Sequence, residues 1–398
     1  MRRGGYEDAV RLLTAALALA GRGGDRGELL CALGEAALAA GDPEAARSAY
    51  AGAAELARQT GRAELLADAA LGLAGGRGGF EIDLRDPSRV AMLTEALRAQ
   101  PAGDSTARAA LLGRLSLALA FTGAPPERRE RLSTEAVAMA RRLPDPAVLI
   151  TALAARCDAI SGPDHLTERR AAAAEIVELA QAGGDRAGEL LGRRLLVVAL
   201  AEGADWPAVD AEISSYARLA EQLAQPRLGW YVPLWRGARA LMHGDRARAD
   251  EHARELDEMA ERAGSPNARL LGLVQRFVRL VAEGRADELA DDFAEIVGLI
   301  PDDPRAGTCA QALLSAHRGQ LAEARAGLDR VLAGTVPRDG EWLPKQAQLS
   351  VAAVLAGHRP AAELVYRELE SHSGQFAVEG HLAGSWGSVD AHLGLLAR

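Results

Sequence analysis

Apolar residues recur at intervals of three and four along almost the whole chain, and they rarely alternate with polar residues over five positions. A period near 3.6 is typical of helices that bury one face, whereas strands alternate with a period of two. The pattern therefore predicts an all-α protein. Turn signals such as Gly41-Asp42, Pro144-Asp145, Gly184-Asp185 and Gly244-Asp245 divide it into helices of roughly 12 to 18 residues.

Glycines in these turns mark a repeat. The marked positions are Gly41, Gly123, Gly203, Gly244, Gly284, Gly319 and Gly357. Their spacings are 82, 80, 41, 40, 35 and 38 residues, so the two long gaps read as double periods. A period near 40 accommodates about nine to ten helical hairpins in the chain. A glycine-rich loop at 75–88 interrupts one of these units.

Small residues stand at fixed distances from the turn glycines. Seven residues before them lie Gly34, Ser116, Gly237 and Ser350, among others, and alanine is the commonest residue five positions after them. Small side chains let the two helices of a hairpin cross closely. The arrangement resembles the tetratricopeptide repeat (TPR), although that repeat has a shorter period of about 34. The resemblance implies a right-handed α-α superhelix, a single solenoid over 1–398, with first helices lining a concave groove.

Longer segments resemble one group of proteins more specifically. They are GELLCALGEAALAAGDPEAARSAYAGAAELARQTG, SGPDHLTERRAAAAEIVELA, GWYVPLWRGARALMHGD and GSVDAHLGLLAR. These segments look like the helical sensor region of large bacterial ATP-binding LuxR-type transcriptional regulators. The ATPase and DNA-binding parts of that family are absent here, because the only lysine, Lys345, lies outside any Gly-x4-Gly-Lys loop and no basic recognition helix is apparent.

Charge and cysteine content restrict the environment and the partners. The 46 basic and 55 acidic residues give a net charge of −9, which argues against direct nucleic-acid binding. The three cysteines are more than a hundred residues apart, as expected for a protein of the reducing cytoplasm. No apolar run is long enough to predict a membrane span.

Candidate binding residues follow from the repeat register. Nine residues before the turn glycines, on the face that a TPR-like fold turns towards its groove, the chain carries basic, aromatic and amide side chains in succession. With two neighbours of these positions, the predicted site for a ligand or partner comprises Arg114, Arg193, Arg194, Tyr231, Trp235 and Gln275.

Two interpretations of this stripe remain open. In the first, Tyr231 and Trp235 fill a wider gap between helices and contribute only to packing. In the second, the rings and the neighbouring Arg194 form a recognition patch for a protein segment or a small, anionic or aromatic effector. On the second interpretation the protein is a noncatalytic sensing module. The sequence carries no prediction of its oligomeric state.

Signals for catalysis are weak, and we expect neither a catalytic residue nor a cofactor or metal. The one neighbourhood rich in potential metal ligands comprises His372, Glu379, His381, Asp390 and His392, whose spacing matches no known metal clip.

The alternative function is an enzyme or a biosynthetic accessory protein on a repurposed repeat scaffold. A closed cavity with convergent polar groups near Trp235 or His381 would favour that alternative.

Overall fold

The computed structural model describes residues 4–20, 26–75, 88–120, 122, 124–289 and 306–398. The helices of the first half are α1 (Gly4–Leu19), α2 (Arg26–Ala40), α3 (Pro43–Thr60), α4 (Ala63–Leu73), α5 (Ser88–Ala99), α6 (Thr106–Ala118), α7 (Pro126–Ala140), α8 (Pro146–Ala159), α9 (Leu166–Gly183) and α10 (Arg186–Glu202). The helices that follow are α11 (Trp206–Leu223), α12 (Pro226–Gly229), α13 (Tyr231–Met242), α14 (Arg246–Ala263), α15 (Pro266–Ala282), α16 (Ala306–His317), α17 (Leu321–Leu332), α18 (Trp342–Ala356), α19 (Arg359–Glu370) and α20 (Val389–Leu396).

Most of these helices form antiparallel pairs. Within the described ranges the pairs are α2/α3, α4/α5, α6/α7, α8/α9, α10/α11, α13/α14, α16/α17 and α18/α19. The predicted all-α helical solenoid is confirmed. The interrupting loop expected at 75–88 falls almost entirely on 76–87, which lie outside the described residues, as does the marker Gly123.

The Gly-Asp turns work as helix stop and start signals. Gly41, Gly184 and Gly244 have φ of +87°, +68° and +72°, a conformation that only glycine adopts without steric cost. The aspartate after each glycine caps the next helix: Asp185 Oδ1, for example, accepts a hydrogen bond from the Gly188 N–H at 2.9 Å. Gly203 is an exception, because its φ is −83° and the next residue, Ala204, takes the left-handed conformation instead.

Close helix crossings explain the small residues before the turns. A Cβ placed on Gly34 would lie 2.6 Å from the Tyr50 ring of the second helix in its pair. A Cβ on Gly237 would lie 2.6 Å from Gln275 Oε1 on the next first helix. Real atoms do not approach so closely, so at both positions glycine makes room for a large neighbour.

The first helices of the pairs form the inner face of the solenoid. Contacts between first helices join α2 to α4, α4 to α6, α6 to α8, α8 to α10, α13 to α15 and α16 to α18. Among the described second helices, contacts of this kind are sparser and include that of α17 with α19. Helices on the inside of a curved stack approach one another more closely than those outside, so the first helices line the concave groove.

Successive turns of the superhelix touch. In the turn between α2 and α3, a Cβ on Gly41 would lie 3.2 Å from the Arg262 carbonyl oxygen at the end of α14. Further along, the Arg338 guanidinium donates two hydrogen bonds of 2.9 Å to the Asp164 carboxylate. These contacts join residues about 200 apart in sequence. Successive turns of the superhelix are therefore in direct contact.

A β-hairpin departs from the helical pattern. Strands β1 (Phe376–Glu379) and β2 (Gly384–Ser388) pair antiparallel, with a register shift between Ala377 and Val378. The hydrophobic pattern of the sequence, which predicts helices only, does not indicate this hairpin. The physical reason is tertiary: the hairpin packs against four first helices, α10, α13, α15 and α18, and it therefore lies inside the groove.

Candidate ligand-binding groove

Three of the positions that lie nine residues before the turn glycines face the interior of the solenoid. Trp235 on α13, Gln275 on α15 and Gln348 on α18 all contact the β-hairpin that fills this part of the groove. The register was therefore sufficient to identify side chains that point inward. It did not indicate that a segment of the same chain lies against them.

Two of these side chains bind the backbone of the hairpin tip. Trp235 Nε1 donates to the His381 carbonyl at 2.8 Å. Gln275 Nε2 donates to the Ala383 carbonyl at 2.7 Å and to the Leu234 carbonyl at 2.8 Å. Backbone carbonyls are present whatever the sequence of the bound segment, so these donors can hold an extended polypeptide of many sequences.

The aromatic residues form a buried cluster beside the hairpin. Tyr231 and Trp235 are 1% and 0% exposed, so neither ring faces solvent. Tyr231 stacks on Trp230 with 3.7 Å between ring centroids, and the Trp235 ring lies 4.9 Å from Tyr216. The rings occupy the space beside α10 and α13, which approach each other less closely than α8 and α10 do. This burial fits the packing interpretation, while ligand binding by these residues stays a prediction.

Two predicted arginines lie together on the inner face. The Arg194 guanidinium is 5.9 Å from the centroid of the Tyr231 ring and 3.9 Å from the Asp158 carboxylate on α8. Arg114 donates a hydrogen bond to the Ala74 carbonyl. Burial lowers the pKa of Arg114 to about 10 and raises the pKa of Asp158, an increase that the surrounding arginines oppose.

Sequence reasoning missed the acidic partners of this region. Asp158 and Glu202 come from the inner helices α8 and α10, and Glu202 forms a buried ion pair with Arg169. Burial raises the pKa of Glu202, although Arg169 opposes the shift. The available signal was the position of both acids among small apolar residues of inner helices, where a charged residue requires a partner.

Arg193, the remaining predicted arginine, lies between α10 and its second helix α11. Arg193 binds Glu189 at 2.7 Å and Glu212 at 2.5 Å, so its charge is matched within α10 and α11. Other surface arginines are matched in the same way, for example Arg142 with Asp104 at 2.6 Å. Arginines held by carboxylates have less charge to offer a phosphate backbone; the absence of nucleic-acid binding stays a prediction.

A pair of carboxyl groups lies where strand β1, next to the hairpin tip, meets the start of α18. Glu341, at the start of α18, lies near Glu379 of β1, and its Oε2 is buried without a hydrogen-bond partner among the described residues. Burial, followed by the charge of Glu379, raises the pKa of Glu341 well above its usual range. Glu379 also accepts hydrogen bonds from Gln348 at 3.2 Å and Trp386 at 2.5 Å. The raised pKa favours the protonated form of Glu341, which removes the repulsion between the two carboxyl groups.

A cavity of about 220 Å³ opens beside strand β2. Its walls come from α13, α15 and β2 and include Leu241, Met242, Val278 and Gly384, with Arg279 and Glu283 among the charged lining residues. The cavity can admit one or two apolar side chains next to a backbone segment. Neither this cavity nor a smaller one near Ser161 and Gly340 is lined by Trp235 or His381.

The groups considered for metal binding or catalysis have other contacts. His392 Nδ1 lies 2.6 Å from Ser350 Oγ and its Nε2 lies 2.8 Å from the Trp386 carbonyl, so both ring nitrogens are occupied. Burial raises the pKa of the Cys157 thiol to about 12, which disfavours the reactive thiolate. In the part of the chain that the structure describes, no group of three or more His, Cys, Asp or Glu residues could hold a metal ion.

Paired helices around an inner groove define a TPR-like α-solenoid. No protein-family model matches the chain, and no curated protein matches it in sequence. Among solved structures it is similar to the crystal structure of a Rap protein complexed with competence and sporulation factor, with a TM-score of 0.63 and 11% sequence identity. The match covers 87% of this chain and 97% of the Rap chain. At this identity the likeness concerns the fold alone.

Among the residues described, no helix has both the length and the apolar character needed to traverse a membrane.

Proposed function

We propose that the protein is a noncatalytic interaction module that holds an extended segment of a partner protein in its concave groove, within one solenoid spanning 1–398. The observation that carries this proposal is the pair of hydrogen bonds from Trp235 and Gln275 to backbone carbonyls of the hairpin tip. A surface that already binds one extended segment through its backbone has the chemistry to bind another.

A solved structure of similar fold supports the same class of function. The Rap protein to which the fold is similar was crystallised in complex with competence and sporulation factor. The proposal extends to the cytoplasm and to transcriptional regulation, with a change in superhelix curvature transmitting the binding event. The proposal of a cytoplasmic location rests on the wide sequence separation of the three cysteines.

A display library of random short peptides tests the proposal. The purified full chain should enrich peptides, and a synthetic copy of an enriched peptide should slow hydrogen exchange on the inner helices α10, α13 and α15. The same peptide with its sequence scrambled serves as the matched control. Failure to enrich any peptide, or protection confined to the outer helices α11 and α14, would contradict the proposal.

A further inference from the structure

The β-hairpin occupies the part of the groove where donors to an extended backbone are found. Its strands contact the inner helices α10, α13, α15 and α18. At its tip Leu382 and Ala383 are 0% exposed and belong to the same buried cluster as Trp235. The hairpin therefore fills this stretch of the groove in the way that a bound peptide would.

The hairpin tip has a strained backbone. Gly380, His381 and Leu382 have φ of +46°, +54° and +65° in succession. The left-handed conformation is unfavourable for histidine and leucine, and it persists only where surrounding structure holds it. Here the groove holds it, through Trp235 on the His381 carbonyl and through the burial of Leu382. Strain of this kind favours release once those contacts are lost.

The cavity beside β2 provides a place where a segment that competes with the hairpin can first bind. Gly384 and Ser385 of the strand line it, and on the helix side it is bounded by apolar residues such as Met242 and Val278. An extended segment could insert an apolar side chain into this cavity before β2 leaves the groove. The ion-paired Arg279 and Glu283 in the cavity lining can in turn bind polar groups of its backbone.

We propose that the C-terminal hairpin, residues 376–388, is an intramolecular competitor for the groove, and that an extended, apolar-bearing partner segment displaces it on binding. This inference rests on the proposed function, because it assumes that a partner segment binds in the groove. The hairpin reduces the apparent affinity for that segment by the fraction of molecules in which the groove is filled.

A disulfide that fixes the hairpin in place tests the displacement. A Cβ on Gly384 would lie 3.0 Å from the Val278 Cβ, close to the separation that a disulfide spans after a small adjustment. In a Cys31→Ser background, the double variant Gly384→Cys, Val278→Cys is compared with its two single variants, using a library-selected peptide as the probe. Oxidation of the double variant should weaken binding about tenfold or more, and reduction should restore it.

A measurement on the unmodified chain gives an independent answer. Hydrogen exchange of the backbone amides of residues 376–388 should accelerate when the selected peptide binds. If the oxidised double variant binds as tightly as the reduced one, or if these amides stay protected in the complex, displacement is wrong while the proposed function stands. If no peptide binds any form of the chain, both the displacement and the proposed function are wrong.

Discussion

The groove has two stretches that occupy equivalent repeat positions but contain different chemistry. In the arginine stretch, Arg114 and Arg194 lie near Asp158 on the inner faces of α6, α8 and α10. In the hairpin stretch, Trp235 and Gln275 of α13 and α15 bind the backbone of the chain's own hairpin. The same register thus supplies charges at one end and neutral donors at the other.

The two stretches differ in the free-energy cost of burying their side chains. Charged groups in the arginine stretch lose hydration and are stabilised only by opposite charges placed within a few ångströms. Neutral donors in the hairpin stretch lose less on burial, but each still needs an acceptor. The arginine stretch should therefore be rigid, whereas the hairpin stretch can exchange one set of carbonyl acceptors for another.

Removing one partner of a buried charge pair should have the largest effect. Arg169 and Glu202 have side chains only 6% and 9% exposed, so Glu202→Ala should lower the free energy of unfolding by about 3 to 5 kcal/mol. Arg170→Ala breaks the more exposed pair with Asp205 and should cost less than about 1 kcal/mol. Urea unfolding measures both, and equal losses would show that burial does not increase the contribution of the Arg169–Glu202 pair.

An intermediate effect is expected from a buried amide of the hairpin stretch. Gln275→Leu leaves the Ala383 carbonyl without its donor and should cost about 1 to 3 kcal/mol, with faster hydrogen exchange in the hairpin. The matched control is Gln100→Leu, which removes a buried amide that donates to the Ala63 carbonyl outside the groove. The control should lose comparable stability and leave hairpin exchange unchanged. Unchanged hairpin exchange in Gln275→Leu as well would contradict a role in holding the tip.

The smallest expected effect is a pH dependence next to the hairpin tip, where Glu341 of α18 meets Glu379 of β1. The pKa of Glu341 is raised above 4.5 in the folded chain, so folding retains a proton that the unfolded chain releases. Its contribution to stability is therefore complete below about pH 4.5 and decreases as the pH rises through the folded pKa. Glu341→Gln should remove this decrease. The difference between wild type and variant in urea unfolding, followed upward from pH 4.5, should decline; a flat difference would refute it.

The helical framework was predictable because its signals are local. Asp42, Asp185 and Asp245 are N-caps wherever a helix follows, and Gly41 and Gly244 stop helices for reasons that lie in their own backbones. The repeat register then placed Gln275 and Trp235 on the inner face. Each of these predictions required only a few neighbouring residues.

The contents of the groove were not predictable because their stability comes from distant residues. The strand at 384–388 is rich in glycine and serine, which are poor strand formers, and it persists through contacts such as that of Trp386 with Phe277 at 5.8 Å. The contact of Gly41 with Arg262 depends on the pitch of the whole superhelix. A repeat period near 40 leaves that pitch undetermined.

The contacts between successive turns determine where the coil has to open if it is to lengthen. A coil with separated turns can lengthen or unwind by small increments, as a spring does. Here the Arg338–Asp164 contact and the Gly41–Arg262 contact must break before the pitch can increase at either place. The Arg338–Asp164 pair is half exposed and therefore resists such opening only weakly, so a modest binding free energy would suffice to lengthen the coil there.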